Sequence, residues 1–144
     1  MIAIDTSVLL RRLLNDDPVQ STKARKIFEK NNLILITDIV LVETIWTLKG
    51  KRYKASKEDI CEVIMKLLEE SNVVFENQQA IWNALNDYID APVVKTSDGN
   101  NSADFPDALT VNKAKVLAKR WSMPYDVTYT FDPAAQALDG TMAA

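Results

Sequence analysis

The stretch MIAIDTSVLL, residues 1–10, decides the fold of this chain of 144 residues. Residues 2–4 form a short apolar segment that is typical of a buried strand, and one carboxylate, Asp5, follows directly. Thr6 and Ser7 come next, before a second apolar run begins. Charged side chains are rarely buried without a partner or a metal. The stretch therefore predicts a strand that delivers a carboxylate to the edge of a sheet.

Length and composition predict one domain that spans residues 1–144. The content of 47% hydrophobic and 26% charged residues is ordinary for a globular protein. No apolar run approaches the roughly 20 residues that cross a bilayer, and the first residues lack the basic segment of a signal peptide. We therefore expect a cytoplasmic protein without a membrane segment. The net charge of −3 neither indicates nor excludes nucleic-acid binding.

The chain has no histidine and a single cysteine, Cys61. Histidine-dependent acid–base catalysis, Ser–His triads and histidine or thiolate metal sites are excluded. Any bound metal must be held by oxygen atoms, which favours Mg²⁺, Mn²⁺ or Ca²⁺. Cys61 lies within a helical pattern, and we expect it to be a buried structural thiol rather than a nucleophile.

Periodicity and turn residues predict an alternation of strands and helices. The predicted strands are 2–4, 33–36, 73–75 and 125–131, and the predicted helices are 8–14, 18–30, 39–49, 56–70, 77–90 and 106–121. Residues 91–103 are rich in loop-forming residues, and the tail from Pro133 has no clear pattern. This order predicts a three-layer α/β/α sandwich with a central parallel sheet of about four to five strands.

Four carboxylates lie at comparable places in this pattern. Asp5 and Asp132 each follow a predicted strand, Glu43 is flanked by large apolar residues, and Asp107 lies in the first turn of a helix. Ligands bind at the carboxyl ends of parallel strands, where these acids can converge. Two like charges 4 Å apart repel by roughly 4 kcal/mol at an effective dielectric constant near 20. A divalent cation would offset this repulsion, activate a water molecule and stabilise negative charge on a phosphodiester.

Each acid also has a purely structural explanation. Asp5 could cap the helix that follows it, Glu43 could be a surface residue, and Asp132 could belong to a simple turn with the next proline. Asp104 and Asp107 are spaced like a helix cap and its partner in the first turn, where acids are favourable. The sequence leaves these alternatives open.

Four segments in order resemble the PIN domain, the fold of many metal-dependent ribonucleases. MIAIDTSVLLRRLL is similar to the opening of that family, and LVETIWTL is similar to its second acidic segment. ADFPDALTVNKAKVLA and VTYTFDPAAQAL resemble the third and fourth segments. The size of the chain is similar to that of the VapC group, the toxins of toxin–antitoxin pairs.

This resemblance implies an endoribonuclease that uses Mg²⁺ or Mn²⁺ and leaves a 5′ phosphate. It implies catalytic and metal-site roles for Asp5, Glu43, Asp107 and Asp132, and a less defined role at the metal for Asp104. It also implies supporting roles near water or substrate for Thr6, Ser7 and Thr130. The implied partners are an RNA substrate, a second copy of the chain in a homodimer, and a cognate antitoxin protein.

Two other functions fit parts of the pattern. A phosphatase could use Asp5 as a phosphorylated nucleophile, but such enzymes usually carry a second Asp two residues later, where this chain has Ser7. A catalytically silent PIN-like domain could bind RNA or protein instead. The presence of all four acids argues against a site that has lost its activity.

Basic and aromatic residues complete the set of candidates. The densest run of cations follows the third predicted helix, and it could contact RNA phosphates or be a solvated loop: Lys49, Lys51, Arg52, Lys54 and Lys57. Three tryptophans in helical patterns are predicted to pack in the core: Trp46, Trp82 and Trp121. The unusually apolar helices 39–49 and 56–70 could form a dimer interface or a groove for an antitoxin segment.

Overall fold

In the computed structural model, three short parallel strands form the sheet that begins the fold: β1 (Ile2–Ala3), β2 (Ile34–Ile36) and β3 (Val73–Phe75). They are hydrogen-bonded in the order β1-β2-β3, and both pairs are parallel. Each strand is the apolar segment that the sequence indicates, as expected for parallel strands covered on both faces. The parallel sheet is confirmed, whereas the expected count of four to five strands is not, because this sheet has three.

The structure describes all residues from 1 to 144 and divides into two units. The N-terminal unit is Met1–Gln78, and the C-terminal unit is Gln79–Ala144. In the N-terminal unit, two helices connect each strand to the next along the chain: α1 (Thr6–Leu14), α2 (Pro18–Lys30), α3 (Asp38–Lys49) and α4 (Lys57–Glu69). These helices agree with the predicted ones to within two residues at each end.

Local capping explains where these helices begin. The Asp17 side chain accepts hydrogen bonds from the backbone N–H groups of Val19 and Gln20, and Pro18 occupies the first position of α2. Ser56 and Asp59 form a reciprocal capping box at the start of α4. Such caps satisfy backbone donors that have no partner within the helix.

A continuous apolar core fixes α1 and α3 in the N-terminal unit, where α1 contacts both α2 and α3. Its fully buried side chains come from three helices and one strand: Leu9, Ile34, Ile36, Leu41, Ile45, Ile60 and Ile64. Burial stabilises the fold by about 1.5–3 kcal/mol for each large aliphatic side chain. The buried side chains therefore hold α1 and α3 in place, and with them the exposed residues on these two helices.

The C-terminal unit contains most of α5 (Gln78–Asp90) and the whole of α6 (Phe105–Arg120). The rings of Tyr88 and Phe105 pack edge to face, with ring centroids 6.1 Å apart. Asn112 is buried, and its amide donates to Asp87 Oδ2 at 2.7 Å and to a backbone carbonyl at 2.9 Å. These contacts join α5 to α6.

Two parts of the C-terminal unit differ from the sequence prediction. The predicted loop 91–103 contains an antiparallel hairpin of β4 (Val94–Thr96) and β5 (Gly99–Asn101). The predicted strand 125–131 is shorter, and this strand, β6 (Thr128–Thr130), pairs in parallel with β7 (Thr141–Ala143) in the tail. Each pair forms its own two-stranded sheet, and a short 3₁₀ turn at Ala135–Ala137 lies between β6 and β7.

The prediction that all three tryptophans pack in the core is wrong. Trp46, Trp82 and Trp121 have exposed fractions of 58%, 47% and 66%. Trp46 directly follows the buried Ile45, and successive residues of a helix point about 100° apart.

Cys61 is only partly buried, and this burial raises the pKa of its thiol. None of the six helices combines the length and apolar character that a membrane crossing requires.

Candidate active site

Asp5 lies at the N-terminus of α1, two residues after β1. Its Oδ1 atom accepts hydrogen bonds from the Ser7 hydroxyl at 2.7 Å and from the Val8 backbone N–H at 3.0 Å. These hydrogen bonds hold the pKa of Asp5 below its ordinary value, and the Ser7 hydroxyl contributes more than the Val8 N–H. The cap that the sequence allowed for Asp5 is confirmed. The carboxylate is exposed and charged at neutral pH, and its Oδ2 atom accepts neither of these hydrogen bonds.

Glu43 lies on the exposed face of α3, although its sequence neighbours are apolar. Leu41, Thr44 and Ile45 are fully buried, so the helix places Glu43 toward solvent. Its Oε2 atom accepts a hydrogen bond of 2.7 Å from the hydroxyl of Thr6. Because Thr6 is the residue after Asp5, this bond brings the Glu43 carboxylate to the first turn of α1. The N-terminal unit thus assembles a cluster of two acids and two hydroxyls from residues that are 37 positions apart.

The donor atoms of this cluster are of the type that a hard divalent cation prefers. All of its side-chain donors are oxygen atoms, and each carboxylate keeps one oxygen outside the hydroxyl contacts. Neither unit by itself gathers three or more His, Cys, Asp or Glu side chains into a group that could hold a metal. Mg²⁺ is commonly bound through one or two carboxylates, with water and substrate phosphates as its other ligands. A pair of acids such as Asp5 and Glu43 is compatible with such a site.

Asp104 and Asp107 form the capping box of α6 in the C-terminal unit. Asp104 Oδ1 accepts from the Phe105 N–H at 2.8 Å, and Asp107 Oδ2 accepts from the Asp104 N–H at 2.9 Å. The cap role that the sequence allowed is therefore confirmed for both residues. These hydrogen bonds do not test a role at a metal, which stays a prediction for both residues.

Asp132 and Thr130 form a compact turn after β6. The Asp132 N–H donates to the Thr130 hydroxyl at 3.0 Å, and Asp132 Oδ1 accepts from the Ala134 N–H at 2.9 Å. Gln136 also donates to the backbone carbonyl of Thr130 at 3.1 Å. Asp132 is exposed, so the turn orients its carboxylate without burying it. Thr130 supports Asp132 through the backbone, and its contact with water or substrate stays a prediction.

The predicted basic segment is the end of α3 and the turn that follows. Lys49, Lys51, Arg52 and Lys54 are all exposed. The Arg52 guanidinium lies over the ring of Tyr53, with 5.2 Å between its central carbon and the ring centroid. Lys54 has a left-handed backbone conformation, with φ of 49°. The solvated-loop interpretation agrees with this exposure, and phosphate contact stays a prediction.

One acid at the edge of the parallel sheet was missed by the sequence analysis. Glu76 directly follows β3, and its Oε2 atom accepts a 2.6 Å hydrogen bond from the Asp38 N–H at the start of α3. An acid therefore follows each of the three parallel strands: Asp5, Asp38 and Glu76. The signal was available, because Glu76 comes directly after the predicted strand 73–75.

The comparison with known families matches residues 2–111 to the PIN domain. The matched segment is well over half of the chain and contains Asp5, Glu43, Asp104 and Asp107, whereas Asp132 lies beyond it. No curated protein matches this chain. The match begins at the first parallel strand and includes the whole cluster of acids and hydroxyls around α1. The chain therefore belongs to the PIN domain family.

Proposed function

We propose that this chain is an endoribonuclease that depends on Mg²⁺ or Mn²⁺. PIN domains are generally nucleases that act on RNA, and they typically use divalent metals. The observation that carries the proposal is that the neighbouring residues Thr6 and Ser7 donate hydrogen bonds to Glu43 and Asp5, at the carboxyl edge of the parallel sheet. This is the edge at which parallel α/β folds bind their ligands.

The proposed roles follow from the resemblance to the PIN domain and, for Asp5 and Glu43, also from their hydrogen bonds. Asp5, Glu43, Asp107 and Asp132 serve as catalytic acids that would hold the metal, with Asp104 as a further candidate ligand. Ser7 and Thr6 orient the first two carboxylates, as hydrogen-bonded neighbours of metal ligands commonly do. A bound divalent ion would supply Lewis acidity that lowers the pKa of water and offsets charge on the phosphodiester.

RNA hydrolysis by this site would give defined products. The oxygen of water forms a bond to phosphorus, and the bond between phosphorus and the 3′ oxygen breaks. The products are a 5′ phosphate and a 3′ hydroxyl. The exposed cations after α3 would bind phosphates of the RNA backbone: Lys49, Lys51, Arg52 and Lys54.

We further propose that the chain is a cytoplasmic toxin of a toxin–antitoxin pair, a single domain similar to the VapC group. The support is its size and the order of its acidic segments. We also propose that it forms a homodimer and binds an antitoxin protein. The exposed face of α3 supports such contacts, because Ile39 and Trp46 have exposed fractions of 66% and 58%.

The decisive experiment compares RNA cleavage by the wild type, Asp5→Asn and Glu29→Gln in Mg²⁺ or Mn²⁺. Asparagine is as good a helix cap as aspartate, so Asp5→Asn keeps α1 while it removes the charge. Glu29 is an exposed acid on α2 and serves as the matched control. We expect the wild type and the control to cleave RNA and Asp5→Asn to be inactive. Equal cleavage by Asp5→Asn would refute the assigned site, and RNA binding without cleavage by the wild type would favour the silent module.

A further inference from the structure

A cleft of about 340 Å³ lies beside the connection between α1 and α2 in the N-terminal unit. Its lining comes from the end of α1, the connection and the first half of α2: Arg12, Leu13, Asn15, Ser21 and Arg25. Two of these residues are cations and none is an acid. The lining therefore carries two positive charges and no negative charge, and arginine keeps its charge at any physiological pH.

Arg12 enters this cleft with most of its hydrogen-bonding capacity unused. A guanidinium has five N–H donors, but Arg12 makes one hydrogen bond, at 3.4 Å to Glu70. Its Nε atom is buried without an acceptor. The guanidinium also lies over the ring of Phe28, 5.3 Å from the ring centroid, and this contact orients it. Arg12 thus has donors left for a further acceptor.

Arg25 provides the second guanidinium from α2. Its side chain is exposed and makes a single hydrogen bond of 3.4 Å, to the neutral Oδ1 atom of Asn15. No carboxylate pairs with Arg25, so its charge is not neutralised within the chain. Two arginines that share one cleft can approach a tetrahedral anion from two sides, and each can donate two parallel hydrogen bonds to it.

We propose that Arg12 and Arg25 bind a phosphate group of the RNA backbone, at a position away from the phosphodiester that is cleaved. This inference rests on the proposed ribonuclease function. Arg12 comes seven residues after Asp5, so the two lie about 10 Å apart along the axis of α1. A few nucleotides span that distance. The cleft anchors the RNA strand, while Asp5 and Glu43 act on another phosphate of the same strand.

Glu70 competes with the phosphate for Arg12. A second cleft, of about 290 Å³, shares Arg12 with the first but contains three carboxylates, those of Asp59, Glu62 and Glu70. Arg12 therefore lies between a cleft with no acid and a cleft rich in acids. A phosphate that binds Arg12 must draw it from Glu70, so loss of the Glu70 charge strengthens phosphate binding.

The first test measures RNA binding by protein that carries Asp5→Asn, without divalent metal, by fluorescence anisotropy with single-stranded RNA. We expect Arg25→Gln to weaken binding about tenfold at about 50 mM salt. The slope of log affinity against log salt should fall by about 0.7, which corresponds to one lost phosphate contact. Lys26→Gln is the matched control, because Lys26 is an exposed cation on the same helix that does not line the cleft. Equal affinities and slopes for the two variants would overturn the proposal.

The second test uses inorganic phosphate and follows the arginine Nε–H signals by NMR. Phosphate should shift the signals of Arg12 and Arg25, Arg25→Gln should abolish saturation, and Glu70→Gln should lower the midpoint several-fold. A merely structural role of Glu70 would not produce that gain. Acetate with the same midpoint as phosphate would overturn the assignment, because it would indicate a general site for protein carboxylates.

The two tests also separate this inference from the proposed function. If the wild type cleaves RNA but Arg25→Gln and Lys26→Gln behave alike, the ribonuclease proposal stands and the phosphate cleft is wrong. If no RNA is cleaved under any condition but RNA binding and phosphate shifts depend on Arg25, the cleft stands and the ribonuclease proposal is wrong.

Discussion

The acids of the two units differ in what holds them. Glu43, in the N-terminal unit, accepts its hydrogen bond from a side-chain hydroxyl, that of Thr6. Asp104 and Asp107, in the C-terminal unit, accept theirs from backbone N–H groups at the start of α6. A backbone N–H that loses its acceptor is left unsatisfied, whereas a hydroxyl can rotate to another partner or to water. The acids of the C-terminal unit therefore contribute to helix stability in a way that Glu43 does not.

Asp5 combines both arrangements, because it accepts from the Ser7 hydroxyl and from the Val8 N–H. It caps α1 and belongs to the candidate site at the same time. Substitutions at Asp5, Asp104 and Asp107 consequently change both fold and chemistry, unless the new residue also caps a helix. Glu43 is the position where the two effects can be separated most cleanly.

Glu43→Gln is expected to give the largest effect on activity with the smallest effect on the fold. RNA cleavage should fall by more than about a hundredfold, since even partners of metal ligands contribute about 10–100-fold. The free energy of unfolding should change by less than about 0.5 kcal/mol, because Glu43 is exposed and caps no helix. Cleavage rates and urea unfolding measure the two quantities. Unchanged cleavage would place Glu43 outside the site.

Asp104→Ala, unlike Glu43→Gln, is expected to change the stability of the fold clearly. Loss of the cap should lower the free energy of unfolding by about 1 kcal/mol, and Asp104→Asn should restore most of it, since asparagine caps helices well. Urea unfolding of both variants measures this, with Asp98→Ala as the control at an exposed acid in the hairpin. Equal destabilisation by Ala and Asn would show that charge, rather than the cap, stabilises α6. Cleavage by Asp104→Asn then reports the metal role alone.

Helix stripes and caps were predictable from the sequence because they depend on neighbouring residues. Helix α2 was predicted at 18–30 and lies at Pro18–Lys30, and Ser56 was expected to start α4, which it caps. The hairpin β4–β5 was missed because none of its strand residues is buried, so its sequence has no apolar alternation. Its turn is fixed instead by Thr96, whose hydroxyl accepts a 2.7 Å hydrogen bond from the Asn101 amide, and by Gly99, whose φ of 113° suits glycine.

The candidate site was predictable in its residues and not in its contacts. Asp5 and Glu43 were found from their positions next to a strand and within an apolar helix. The hydrogen bond from Thr6 to Glu43 was not predictable, since it joins residues that are 37 positions apart and depends on how α1 packs on α3. That Arg12 and Arg25 share a cleft was not predictable, because their proximity arises from the turn between two helices.

Of these variants, Ser7→Ala is expected to cause the smallest change, a shift in the pKa of Asp5 with a slight loss of stability, and it tests the hydrogen bond from the Ser7 hydroxyl to Asp5 directly. The Ser7 hydroxyl is the largest cause of the lowered pKa of Asp5, so this pKa should rise toward its ordinary value. The Val8 N–H still donates, and part of the lowering should persist. Carbon-detected NMR of the Asp5 carboxyl measures the titration, and Ser71→Ala is the control at an exposed serine.

The same contact determines how stability depends on pH. A carboxyl whose pKa is lower in the folded chain stabilises the fold above its unfolded pKa of about 3.9. That contribution is lost as the pH falls through the folded pKa. The wild type should therefore be slightly more stable than Ser7→Ala at neutral pH, and the difference should vanish in acid below the folded pKa. An unchanged Asp5 titration in Ser7→Ala would mean that the Val8 N–H alone lowers this pKa, as a simple helix cap would.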